Sequence, residues 1–235
     1  MNFSKINDQI YLIGDVHGCY KTLCALIDRL PRGADSKICF VGDLIDRGEG
    51  SFEVVQLAMQ RGYAAVMGNH EYCLLQHKDA FLRGEMPNDP RWFYLNGGAQ
   101  TFASYAKASR AQKLAHIEFL SNLPLYLEFH EFKNAQGRQL VVSHSAAGRM
   151  WPLRSSDGDN AAEFRRHVLC SRGDFSQNDG IFNVYGHTPI DEPDITNFSA
   201  NIDTGCVYKH KFGHLCALEF PSMRVFMQEN IEEGG

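Results

Sequence analysis

ICFVGDLIDRGEG, from Ile38 to Gly50, decides the fold. Its first four residues form an uninterrupted apolar run, which reads as a strand buried on both faces. A glycine then releases the chain into a polar phrase with Asp43, Asp46 and Arg47. The same grammar holds on either side. Ile10 to Ile13 runs into GDVHG (Gly14 to Gly18), and Ala64 to Met67 runs into GNHE (Gly68 to Glu71). Three polar phrases therefore leave three strand ends, where open α/β sheets place their sites.

Helical periodicity fills the gaps. Leu23, Leu26, Ile27 and Leu30 predict a helix over Tyr20 to Leu30, closed by Pro31 and Gly33. Val54, Val55 and Ala58 predict a second, capped by Ser51 and ended by Gly62. The third βα unit continues from GNHE into a helix over Tyr72 to Arg83. Glu85 to Gly98 breaks the pattern with two prolines and the cluster Trp92, Phe93, Tyr94, and reads as a surface excursion, either a lid or substrate wall or a loop packed by its aromatics. After a helix over Ala111 to Ser121, Leu125 to Phe132 and Gln139 to Ser143 flank a hairpin turn at Asn134 to Gly137. Asn183 to Tyr185, Ala200 to Ile202 and His214 to Phe220 are further strands. The expected architecture is α/β: two packed sheets flanked by helices, in one domain spanning residues 1–235.

A net charge of −5 on 235 residues excludes a protein that tracks nucleic-acid backbone with a broad basic face. The opening MNFSKINDQI lacks a basic segment followed by an apolar run, and no later run reaches the roughly 18 apolar residues of a spanning helix, so a cytoplasmic protein without a membrane partner is expected. A monomer is expected as well. Seven cysteines without a CxxC pair suit a reducing compartment. Cys19 and Cys206 adjoin site phrases and are read as space-filling neighbours, with redox activity the weaker alternative.

Asp15 and His17 stand two apart between glycines, so both can face one ion. Asp43 and Asp46 stand three apart after a strand, which lets the first carboxylate bridge two metals while the second serves another partner. Arg47 offers a planar fork for phosphate oxygens. Asn69 and His70 project in different directions, one toward metal and one toward substrate. His144, in VVSHS, and His187, in YGHTP, also follow strands. Asp, His, Asn and Arg gathered in this way point to a metal-dependent phosphatase.

GDVHG, GDLIDRG, GNHE, VVSHS and GHTP in this order resemble the phosphoprotein phosphatase family of metallophosphoesterases. NGGAQTF (Asn96 to Phe102) and IDTG (Ile202 to Gly205) are similar to its bacterial and bacteriophage-lambda-type serine/threonine phosphatase branch. The resemblance covers Ile10 to about Phe220 and implies a calcineurin-like fold, a β-sandwich of two mixed sheets. It also implies that Asp15 and His17 hold one metal, that Asn69, His144 and His187 hold the second, and that Asp43 bridges them. His70 would then be the catalytic acid oriented by Asp46, with Arg47 and Arg172 on the phosphate. Two divalent ions, manganese by resemblance and iron or zinc as alternatives, would activate water for direct in-line attack on phosphoserine or phosphothreonine proteins and peptides, extending to phosphotyrosine.

The rival is a symmetrical bis(5'-nucleosyl)-tetraphosphate hydrolase with the same two-metal site. Its members tend to lose the second aspartate of GDxxDRG and to read GNHD, whereas this chain keeps Asp46 and Glu71. An inactive metal-binding module is the remote third reading. A cysteine phosphatase, which needs five residues between its thiolate and an arginine, and a Walker-type GK[ST] loop are both excluded. His77, His116, His130, His167, His210 and His214 are expected to be structural or solvent-facing.

Overall fold

Strand β1 (Ile10–Ile13) runs through the middle of the first sheet, and all four of its residues are buried. Tyr11 and Ile13 join the core beneath the helices, while Ile10 and Leu12 pack between the two sheets. This two-sided burial is why the run is apolar throughout rather than alternating. Residues 9–87, 90–173 and 177–233 are described by the structure, a computed structural model. The opening segment 1–8 and Asn88 and Asp89 of the excursion lie outside them.

Parallel to β1 lie β2 (Ile38–Phe40) and β3 (Ala64–Ala65); β9 (His214–Phe220) pairs antiparallel with β1, and β10 (Arg224–Glu229) with β9, giving the order β10-β9-β1-β2-β3. The second sheet has the order β4-β5-β6-β8-β7, built from β4 (Tyr126–Lys133), β5 (Gln139–Ser143), β6 (Ile181–Tyr185), β7 (Asp194–Ile195) and β8 (Ser199–Asn201). Its three central strands are parallel, its edges antiparallel. Ile10, Leu12, Val41, Leu140, Val142, Phe182, Val184 and Leu218 interdigitate between the sheets. The expected two mixed sheets with flanking helices are observed.

Helices α1 (Tyr20–Asp28) and α2 (Ser51–Arg61) begin where the site phrases end. Gly62 closes α2 in the left-handed conformation, φ 64°, as the sequence suggests. Ser51 is the first residue of α2 rather than its cap; its hydroxyl is turned back to accept from the Asp46 amide at 3.1 Å. The third helix starts earlier than its periodicity predicts. GNHE is itself the first turn of α3 (Asn69–Gln76), and His77 separates it from α4 (Lys78–Arg83). Glu71 satisfies the amide of Gly68 at 2.9 Å, which explains the early start.

The excursion folds into α5 (Pro90–Leu95), followed by α6 (Gly98–Ser104) and α7 (Arg110–Ser121). Trp92 is fully buried and stacks on His77 at 5.4 Å between ring centres, while Tyr94 and Leu95 are exposed. The packed-loop reading therefore holds for Trp92. On the outer face of the second sheet, α8 (Gly158–Cys170) buries Phe164 and Val168 against Val141 and Ile181. Neither α8 nor β10 is foreseen in the sequence reading. Among the described residues, no helix is long and apolar enough to cross a membrane.

Candidate dinuclear metal site

Six non-glycine residues among those described have positive φ, between 46° and 71°: His17, Asp43, Asp46, Arg47, His187 and Met223. Five of these are residues singled out by the sequence. Each such residue costs roughly 1–2 kcal/mol, and strain of this kind persists where the surroundings fix the backbone. Here the surroundings are visible. Both carboxylate oxygens of buried Glu71 are used: Oε2 accepts from the amides of Asp43 and Gly68 at 2.9 Å, and Oε1 from Leu44 at 2.8 Å and Ile45 at 3.3 Å. A side chain on Gly68 would strike the Asp43 carboxylate and amide, so the two phrases meet only with glycine there.

Asp43 is the hub. Its Oδ1 accepts from the His70 amide at the start of α3 at 3.1 Å. Its Oδ2 faces three imidazoles: His144 Nε2 at 3.4 Å, His17 Nε2 at 3.5 Å and His70 Nε2 at 3.9 Å. Two sets of buried donors share it, His17–Asp43–His70 and Asp43–His144–His187, each with its ligand atoms within 4.8 Å of one another. Asn69 Oδ1 lies 2.9 Å from His144 Nε2, and His187 Nδ1 lies 3.1 Å from that same nitrogen. Asp15 belongs to neither tight set; its carboxylate accepts from the His187 amide at 3.1 Å.

The donor set fits divalent cations. His17 Nδ1 bonds the Ile45 carbonyl and His144 Nδ1 the Val41 carbonyl, both at 2.9 Å, so each ring places its proton there and turns the Nε2 lone pair inward. An asparagine oxygen, a second histidine nitrogen and a carboxylate oxygen converge on the same place. These are electron-pair donors facing one another in a buried space, an arrangement a metal ion neutralises.

The electrostatics report the same crowding. Burial and the neighbouring Asp203 hold the Asp15 carboxyl well above its usual range. Burial and the Arg47 guanidinium, which contacts His17 Nε2, hold His17 well below it. Burial would lower His144, yet the carboxylates of Asp43 and Asp15 raise it to about 10. His187 is pushed down to about 3 by burial, by its neighbour His144 and by the Arg172 guanidinium. Against its own burial, Asp43 is held well below the ordinary carboxylate value by His144 and His70.

A second unit stands beside the hub. His70 Nδ1 lies 2.7 Å from Asp46 Oδ2, and both side chains are buried. That same oxygen accepts from the Trp92 indole N–H at 2.6 Å, and Asp46 Oδ1 accepts from the Thr101 hydroxyl. Burial opposes a charge on His70, but Asp43 and Asp46 raise its pKa above the usual value, so its protonated form is favoured.

The sequence-predicted residues other than Arg172 are joined by direct contacts. Arg172 follows α8 and lines a cavity of about 620 Å³ with Thr188, the neighbour of His187; among the described residues no hydrogen bond or ion pair joins it to the cluster, but its positive charge reaches His187 and helps to hold that imidazole's pKa down. Sequence reasoning misses Glu71 as a backbone clamp, Trp92 and Thr101 as partners of Asp46, and Asp203 beside Asp15. Asp203 is buried, its pKa pushed up to about 6 by burial and Asp43. Thr101 and Asp203 do lie in the quoted phrases NGGAQTF and IDTG, which carried the signal.

The chain matches the calcineurin-like phosphoesterase family over residues 9–212. It belongs to that family. Asymmetrical bis(5'-nucleosyl)-tetraphosphatase PrpE of Halalkalibacterium halodurans is 34% identical over 92% of this chain and 91% of its own. The enzyme of that name from Bacillus subtilis is 30% identical over 90% and 91%. The fold of this phosphoesterase also resembles a solved structure described as a candidate diadenosine tetraphosphatase, with a TM-score of 0.68 at 21% identity, covering 96% of this chain and 95% of that one. A Saccharomyces cerevisiae serine/threonine phosphatase resembles it with a TM-score of 0.57 at 14% identity, covering 99% and 83%. The chain is a metal-dependent phosphoesterase. Its sequence relatives act on dinucleoside tetraphosphates, where the motifs alone favoured a phosphoprotein.

Proposed function

We propose that this phosphoesterase hydrolyses the phosphoanhydride chain of dinucleoside tetraphosphates. The observation that carries the chemistry is Asp43, one carboxylate shared by two sets of buried donors. The substrate class rests on relatives up to 34% identical over nine-tenths of the chain.

Asp15 and His17 would hold one divalent ion, and Asn69, His144 and His187 the other, with Asp43 between them. Such a pair lowers the pKa of water toward neutrality and offsets charge on phosphoryl oxygens. The Arg47 guanidinium, beside His17, binds the phosphoryl group and stabilises charge developing on its oxygens. His70 donates its Nε2 proton to the leaving oxygen, while Asp46 fixes the opposite nitrogen and hence the direction of transfer. Manganese is the metal this reading favours.

A second reading, a serine/threonine protein phosphatase, is favoured by the intact His70–Asp46 pair. An alkoxide is a strongly basic leaving group and needs an acid, whereas a nucleotide phosphate departs readily without one. One comparison separates the readings: initial rates with added manganese on diadenosine tetraphosphate, a phosphoserine peptide and a phosphotyrosine peptide. A kcat/KM for the dinucleotide at least tenfold above both peptides supports the first; the reverse order replaces it with the second. Chromatography of the products, two identical nucleotides or a mono- and a triphosphate, assigns symmetrical or asymmetrical cleavage.

A further inference from the structure

The metal site holds only the phosphoryl group being attacked, so the remainder of an extended substrate must lie in a volume that opens from it. A cavity of about 640 Å³ adjoins it, with Arg47, which contacts His17, in its wall. Its volume lies within the roughly 300–1,000 Å³ typical of small-molecule sites. Half-buried Tyr20 and Val207 supply apolar surface, Gln100 a polar edge, and Lys21 and Lys209 positive charge.

Both lysines are already engaged by Glu232 and Glu233. Lys21 Nζ pairs with Glu233 at 3.1 Å, in an exposed bridge, and Lys209 Nζ donates to the backbone carbonyl of Glu232. The Glu232 carboxylate accepts from the amide and hydroxyl of Thr22 at 2.9 and 3.1 Å. With Glu49 and Glu53, four carboxylates thus line the cavity where further phosphates of a polyphosphate would arrive, and of these Glu232 and Glu233 lie on the segment that engages the lysines. An exposed ion pair contributes only about 0–1 kcal/mol, so a ligand carrying several charges can displace it.

We propose that this cavity is the subsite for the substrate beyond the scissile phosphoryl group, that Lys21 and Lys209 select a polyphosphate there, and that Glu232 and Glu233 compete with it. This rests on the reading of the substrate as a nucleoside polyphosphate, and the test keeps the two apart.

The test uses the manganese-loaded protein with p-nitrophenyl phosphate as reporter and free manganese held in fixed excess. Inhibition constants are measured for inorganic tripolyphosphate and for orthophosphate, which carries no phosphates beyond the one held at the metal site, together with KM for diadenosine tetraphosphate. Lys21→Ala combined with Lys209→Ala should raise the tripolyphosphate constant about tenfold, leaving the orthophosphate constant and reporter kcat unchanged. Glu232→Gln combined with Glu233→Gln should lower the tripolyphosphate constant about threefold. Unchanged reporter kcat shows that fold and metal site are intact. Ratios of the two inhibition constants equal to the parent's in both variants would overturn the subsite. If the ratios shift as expected but the parent fails to cleave diadenosine tetraphosphate, the subsite stands and the dinucleotide reading falls. If the dinucleotide is cleaved with KM and both ratios indifferent to the lysines, the subsite falls alone.

Discussion

Asp46 holds His70 by the ring nitrogen that faces away from the metal cluster, at 2.7 Å, and so leaves the opposite nitrogen turned toward Asp43. In the proposed reaction this contact would make His70 a directed acid, even though its Nε2 stands in the His17–Asp43–His70 donor set. Its consequence depends on the leaving group. His70→Asn should lower turnover of alkyl phosphates by roughly 10²- to 10⁴-fold while leaving metal content intact. On diadenosine tetraphosphate the loss should be smaller by at least tenfold, because the leaving nucleotide needs less protonation. Steady-state rates on both substrates, with metal per chain measured by elemental analysis, check this; equal losses would remove the acid role.

Trp92 donates to the same Asp46 oxygen that receives His70. Trp92→Phe keeps an aromatic ring against His77 but removes the N–H, loosening Asp46. We expect kcat for p-nitrophenyl phosphate to fall several-fold with KM nearly unchanged, and the alkaline limb of the pH–rate profile to move. A KM effect without a kcat effect would assign Trp92 to packing alone.

Asp43 is the shared oxygen donor. Asp43→Asn removes the charge between the two donor sets, so both ions should dissociate more readily. After dialysis against a mild chelator the variant should retain less than one ion per chain where the parent retains two. A variant that keeps two tightly held ions would contradict the bridging assignment.

Glu71 accepts four backbone N–H groups and is the clamp that holds Asp43 at positive φ. In Glu71→Gln an amide NH₂ must face backbone donors. A buried donor left unsatisfied costs about 1–3 kcal/mol, which for a domain of this size lowers Tm by several degrees. Calorimetry of the metal-free proteins measures this without interference from ion binding; an unchanged Tm would show that the clamp is dispensable.

His116 gives a pH dependence remote from the metal cluster. It is buried against Phe52, with hydrogen bonds to Tyr105 at 2.8 Å and Gln56 at 3.1 Å, and burial pushes its pKa down to about 4. The unfolded chain takes up this proton near pH 6.5, whereas the fold resists it until about pH 4. Its contribution to stability is therefore complete above pH 6.5 and is lost as the pH falls toward 4. His116→Gln should be less stable than the parent at pH 7.5 but should lose less Tm between pH 7 and pH 5. Parallel Tm curves would show that another group dominates the acid limb.

Most of the cluster is legible before folding is considered, for a local reason. Asp15, His17, Asp43, Asn69, His144 and His187 each follow an apolar run, and a buried strand delivers the next polar residue to the sheet's end whatever its neighbours do. Helix beginnings are less legible. Ser51 has the right identity for a cap, yet its hydroxyl is taken by Asp46, and the start of α3 is moved into GNHE by Glu71. Both shifts come from hydrogen bonds that a periodicity of 3.6 does not register. Arg172 lies just beyond α8 at a neighbouring cavity, from which its charge acts on His187, a placement that its motif does not specify.

Apolar runs, glycine turns and ligand types are properties of a few consecutive residues, so the sequence by itself determined the two-sheet α/β architecture, the chemical class and nearly every metal-ligand candidate. What Asp46 does was decided only in three dimensions: its partners Trp92 and Thr101 lie 46 and 55 residues away. The same holds for Asp15, whose carboxylate meets the His187 amide across 172 residues, and for the cavity where the chain's end meets α1 beside Arg47. Such contacts join segments whose local patterns are independent, and only tertiary packing brings them within hydrogen-bonding distance: one sheet on the other for Asp15 and His187, and helices α5 and α6 on the first sheet for Asp46.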